Sequence, residues 1–224
     1  MKKPFFLMLL FFTAIVNISS SAAEGLPIKE WNASTHNKPL LFFISGDGGF
    51  NKFSTGLCES LNEEDYDIVA LNSKSYFYDK KTPEQTADDI SEYLSKKLTG
   101  RTNQQIAFIG YSFGADVLPF VLNRLPKNIL EKVVASFMMA SSGSTDFEIH
   151  WLDMLGDNKK RNMDVVSEIN KTVGVETVII TGSDDNNLDV KRITLKNYTL
   201  AVLPGGHHFN GDIDEIVEKI VKYL

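Results

Sequence analysis

Six short stretches of this chain are apolar almost without interruption: residues 39–45 (PLLFFIS), 66–72 (YDIVALN), 105–111 (QIAFIGY), 133–140 (VVASFMMA), 176–182 (ETVIITG) and 198–205 (YTLAVLPG). A strand with one wet face alternates apolar and polar residues, whereas a strand covered on both faces does not. Runs of this length, rich in β-branched and aromatic residues, therefore predict buried strands of a parallel sheet. Helical patterns lie between them. In residues 82–98, Thr82 is placed to cap, Pro83 to take the first helical position and Gln85 to close a capping box, while Ala87, Ile90, Leu94 and Leu98 share one face. The final segment sets Ile213, Ile216, Val217, Ile220 and Val221 on a similar stripe. Strands alternating with helices predict an α/β architecture, a mostly parallel sheet flanked by helices with right-handed crossovers.

The first residues do not fit that scheme. Lys2 and Lys3 precede the apolar run FFLMLLFFTAIV, and small residues follow at Ser21 and Ala23. This is the pattern of a secretory signal covering residues 1–23, which leaves 24–224 as a single domain. The apolar run falls short of the ~20 residues that span a bilayer. A periplasmic location is the expectation. Cys58 is the only cysteine, so the fold does not rest on an internal disulfide. It is expected to pack as a small apolar residue on a helix. Without residues 1–23 the chain has 21 Lys and Arg against 29 Asp and Glu, because only the two lysines are lost, and the formal charge moves from −6 to −8. No basic stripe is interleaved with aromatics, so nucleic acid is not an expected partner.

In a parallel α/β sheet, functional groups gather beyond the carboxyl ends of the strands. There the sequence places SGDGGF, GYSFGA, GSDDNN and PGGHHFNGD. In GYSFG, Gly110 and Gly114 flank Ser112 at the junction of a strand and a helical pattern that Pro119 is expected to kink or restart. Small flanking residues let a sharp turn lift a serine above the sheet. Chance alone yields G-x-S-x-G in roughly one chain of this length in fifteen, so its position carries more weight than the motif. A serine hydroxyl needs a base to take its proton and an acid to orient that base. Ser112, Asp185 and His208 supply the three in the chain order of the α/β-hydrolases. Asp184 and Asp146 are the alternative acids and His207 the alternative base. The oxyanion of an attacked carbonyl needs two N–H groups. Phe113 is expected to give one, and Asp47 or Gly48 in the glycine-rich loop the other. That loop lacks the G-x-x-x-x-G-K-[ST] pattern of a phosphate cradle. No metal or cofactor is expected.

Several blocks together, SGDGGF, TPEQTADDI, YSFGADVLPFVLNRLP, TDFEIHW and LPGGHHFNGD, resemble the signature blocks of the bacterial VirJ/AcvB virulence proteins. They spread over nearly all of residues 24–224, and the signal directly before them is similar to the short form of that family. The resemblance implies an α/β-hydrolase fold and a periplasmic serine esterase. Its AcvB branch is associated with hydrolysis of aminoacylated phosphatidylglycerol, especially the lysyl lipid, and its VirJ branch with type IV secretion. The implied partners are thus a lipid or small ester at the membrane surface, and secretion-system proteins if the chain acts by binding instead of catalysis. If the substrate carries a lysyl ammonium, Asp116, one turn beyond Ser112, is the candidate to hold it. About 50 residues separate Leu125 from Glu176. This leaves room for a short cover but no large lid, and Trp151, Leu152, Met154 and Leu155 are candidates to line it.

Overall fold

The computed structural model describes residues 25–101, 104–150 and 160–224. The expected signal at 1–23 and the four apolar residues proposed for the cover lie outside the described residues. Among the described residues nine strands are seen: β1 (Ile28–Trp31), β2 (Leu40–Ile44), β3 (Ile68–Leu71), β4 (Ile106–Tyr111), β5 (Val133–Met139), β6 (Ser144–Thr145), β7 (Met163–Asp164), β8 (Glu176–Gly182) and β9 (Tyr198–Leu203). Among the helices are α1 (Lys52–Glu63), α2 (Ser73–Tyr76), α3 (Pro83–Lys97), α4 (Phe113–Leu122), α5 (Lys127–Leu130), α6 (Val165–Ile169) and α7 (Ile213–Lys222). Seven strands form one sheet in the order β1-β3-β2-β4-β5-β8-β9, parallel throughout except for β1, which runs antiparallel to β3. This is the α/β-hydrolase fold. Between β5 and β8 the described residues make a two-stranded ribbon of β6 and β7 followed by α6, with no large lid domain.

The apolar runs of β2, β3, β4, β5 and β8 are continuous because both faces of the sheet are dry there. By contrast β9, expected to be buried as well, is an edge strand with Leu200 and Val202 exposed. Along β2, Leu40, Phe42 and Ile44 enter the core under α3, α4 and α6. Leu41 and Phe43 enter the core under α1 and α7, and all five are buried. Helix α3 begins as expected: the Thr82 hydroxyl accepts from the Gln85 N–H, and the Gln85 side chain accepts from the Thr82 N–H. Its stripe of Ala87, Ile90 and Leu94 is buried. Helix α4 runs through Pro119 as one element instead of restarting there. Proline forfeits one bond, to the carbonyl four residues back. Residues 114–122 are all buried, and that packing keeps the helix in place. Cys58 lies fully buried on α1, where withdrawal from water pushes its thiol up to about 12. It is a packing residue. The sheet order places the site: from β2 the chain moves out to β3, then returns across β2 to β4. Neighbouring β2 and β4 therefore send their loops to opposite sides, which opens a crevice at their carboxyl ends.

Candidate active site

Ser112 stands in that crevice between β4 and α4 with φ 54° and ψ −121°, a backbone state most side chains avoid. Two glycines make it possible. A Cβ on Gly114 would lie 2.1 Å from the Ile44 carbonyl oxygen, and one on Gly110 would lie 2.5 Å from the Gly114 oxygen. Nothing larger than hydrogen fits where α4 crosses the ends of β2 and β4. The Ser112 N–H is tied to the Met139 carbonyl of β5 at 2.9 Å. Phe113 is the first residue of α4, so its N–H has no acceptor within the helix. The loop after β2 closes the other side: a Cβ on Gly46 would come 3.4 Å from that of Ser112. Asp47 and Gly48, the two expected backbone donors, line the same cleft as Phe113.

His207 Nε2 lies 2.8 Å from Ser112 Oγ, and His207 Nδ1 lies 3.0 Å from Asp185 Oδ2. This geometry fixes the tautomer: the Nδ1 proton goes to the carboxylate, and Nε2 accepts from the serine. The Asp185 side chain is only 2% exposed and takes a second hydrogen bond, from the Asn187 N–H at 3.1 Å. The sequence expectation of His208 as the base is therefore corrected to its neighbour. His208 turns the other way, and its Nδ1 meets the Tyr111 hydroxyl at 2.5 Å. Burial, together with the charges of Asp47 and Asp185, raises the Tyr111 pKa, so the phenol stays protonated and donates to the imidazole. The residue just before the serine thus braces the histidine loop, a role the sequence did not signal. The acid and base loops also touch each other. The Asp184 N–H donates to the Gly205 carbonyl at 2.9 Å, and a Cβ on Gly182 would sit 2.4 Å from that oxygen. Of the alternative acids, the Asp184 side chain accepts from Ser183, and Asp146 pairs with His150 at 2.6 Å in the cleft wall.

Asp116 does not offer an open carboxylate to a ligand, which corrects its assignment to a substrate ammonium. One oxygen accepts from the Ser142 N–H (2.6 Å) and the Ser141 hydroxyl (2.8 Å), and the other accepts from the Ser142 hydroxyl (2.7 Å). The residue is buried, and its hydrogen bonds pin the loop after β5 to the first turn of α4. Burial pushes its pKa up to about 6, with the Ser142 and Ser141 bonds and nearby His207 pulling the other way.

Over these residues lies a cleft of about 720 Å³. Its walls carry both signs: the bases Lys160, Arg161 and Arg192, and the acids Asp146, Glu148 and Asp189 among others.

The family model described as "Bacterial virulence protein (VirJ)" matches residues 39–224. The chain belongs to that family. No curated protein matches it. Among solved structures, this VirJ-family chain is similar to a lipase-esterase related protein from Clostridium acetobutylicum ATCC 824. The identity is 15% and the TM-score 0.62, over 88% of this chain and 99% of that one. MenH from S. aureus is 14% identical with a TM-score of 0.64, over 88% and 97% of the two chains. Est1E from Butyrivibrio proteoclasticus is 15% identical with a TM-score of 0.61, over 89% and 96%. At such identities the likeness is one of fold.

Proposed function

We propose that this VirJ-family chain is a periplasmic serine esterase, with Ser112 as nucleophile, His207 as base and Asp185 as the acid that orients it. The observation that carries the reading is the unbroken hydrogen-bonded line from Ser112 Oγ through His207 to Asp185. In this scheme His207 Nε2 takes the Ser112 proton as Oγ bonds to the ester carbon. The N–H of Phe113 and one of the loop after β2 receive the oxyanion. As the tetrahedral species collapses, the carbon–oxygen bond to the alcohol breaks and His207 returns the proton to that oxygen. A water then repeats the sequence on the acyl-enzyme and frees Ser112.

We infer further that the ester is aminoacylated phosphatidylglycerol such as the lysyl lipid. A fatty acyl chain prefers an apolar slot, whereas this cleft is lined by charged side chains of both signs, the chemistry of a headgroup that carries ammonium and phosphate. The amphiphilic substrate would be met at the membrane surface. The test is release of free lysine from vesicles containing lysyl-phosphatidylglycerol by the purified protein. Wild type should release it and Ser112→Ala should not, with an unchanged circular dichroism spectrum. Equal release by both would overturn the mechanism. Release from simple esters but none from the lipid would overturn the substrate alone.

A further inference from the structure

The sheet has two edges, and they are treated differently. At one, β1 runs antiparallel and carries Lys29 and Glu30 in its four residues, with Lys97 bonded to Glu30. Charged side chains of this kind keep an edge from recruiting another strand. At the other, β9 has no charged residue from Tyr198 to Gly206.

Its open side can be read from the ladder. The Leu203 carbonyl accepts from the Ser183 N–H on the β8 side. Backbone groups alternate in direction along a strand, so those of Tyr198, Leu200 and Val202 point away from β8. Their side chains share one face of the sheet. The other face is covered by α7, over the buried Ala201 and Leu203. Leu200 is 39% and Val202 56% exposed, two of the four large hydrophobics exposed among the described residues. Among the described residues, unpaired backbone and exposed apolar side chains therefore coincide on one short strand.

We propose that β9 is the self-association edge of this protein: two copies pair β9 antiparallel about a two-fold axis through Leu200, joining two sheets into one. In that register Leu200 faces Leu200 of the second copy, and Tyr198 faces Val202. These are the residues whose N–H and C=O groups are open, so about six hydrogen bonds form across the axis. The stripe meets itself, apolar on apolar. Lys196 falls opposite Pro204, which has no N–H, so the ladder stops there and no like charges are brought face to face. A slip of two residues would set Tyr198 against Pro204 or Val202 against Lys196. The occupant is a second copy because the strand from Tyr198 to Gly206 presents nothing charged for an unlike partner to match, while the rest of this net acidic chain would repel its own kind elsewhere. One strand edge is smaller than a standard interface of about 1,600 Å², so the dimer is expected to be reversible in the micromolar range.

Sedimentation velocity on the purified protein from ~1 to ~200 µM should show a monomer–dimer equilibrium. Leu200→Lys, a change at an exposed position, should weaken it by at least tenfold in Kd, with the thermal melt unaltered. Cysteine cross-linking reads the register independently. Facing residues of a hydrogen-bonded antiparallel pair have Cα atoms ~5.5 Å apart, within disulfide reach. Mild oxidation should thus link Leu200→Cys into a covalent dimer and leave Val202→Cys unlinked, since two copies of position 202 lie far from each other. Buried Cys58 does not compete. A protein that stays monomeric at every concentration overturns the proposal and leaves the edge to a strand of another chain. A dimer indifferent to Leu200→Lys, or one cross-linked equally by both cysteines, overturns it as well.

Discussion

Replacing Asp116 by Asn separates the structural role of this carboxyl from any other. Burial takes the charged group out of water, and its pKa stands at about 6 against an ordinary 3.8. The sign follows from linkage: the folded state holds the proton more tightly than the unfolded chain, so stability falls as pH rises through this interval. A displaced pKa is worth about 1.4 kcal/mol per pH unit. The ionised carboxylate therefore costs the fold about 3 kcal/mol at pH 8 and about 1 kcal/mol at pH 4.5. Asn keeps the shape. Its oxygen can accept from Ser142 N–H and the Ser141 hydroxyl, and its NH₂ can donate to the Ser142 oxygen, which lies 2.7 Å from the present carboxylate. Urea unfolding of both proteins across pH isolates this group together with its coupling to nearby His207, because the remaining titrations are shared. The stability of Asp116→Asn relative to wild type should grow by about 2 kcal/mol between pH 4.5 and 8. A difference that stays flat, or that grows toward acid, would refute the reasoning.

His207→Ala should lower kcat/KM for an ester substrate at least a thousandfold, whereas His208→Ala should cost about tenfold through the lost Tyr111 brace; steady-state kinetics on both variants checks this, and the reverse order would exchange their roles. Gly114→Ala should leave no stably folded protein, or one weakened by more than ~3 kcal/mol, since its Cβ meets backbone 2.1 Å away. A soluble variant with a wild-type melting curve would contradict the packing at the serine turn.

The six expected strands were all legible, five because burial on both faces writes an uninterrupted apolar run into the sequence, and β9 although its Leu200 and Val202 are exposed at a sheet edge. β1 was not. Its residues, IKEW, alternate about charges and are only half-buried at Ile28 and Trp31, so four residues at a sheet edge leave too faint a pattern. The serine turn showed itself through glycines whose absent side chains are required by backbone contact. The histidine did not: β9 ends at Leu203, and Gly205 at φ 94° breaks the strand's alternation before His207 is reached. Which of two adjacent imidazoles faces the serine is thus decided by a loop with no period to extrapolate. Asp116 followed the same rule. An acid in a first helical turn is explained by the helix dipole alone, and its partners, Ser141 and Ser142, lie 25 and 26 residues away.

The serine rests near the middle of the sheet on β4, held on both sides, while the histidine hangs from β9, held on one. The two halves of the Ser112–His207 contact therefore belong to regions of unequal cooperativity. Opening the segment from Tyr198 onward breaks that contact while β2, β4 and β5 keep their ladders. Such local opening generally needs less free energy than global unfolding. Amide exchange in β9 then becomes the natural gauge of how long the contact survives, and a far-ultraviolet melting curve, dominated by the interior strands and long helices, would report it late.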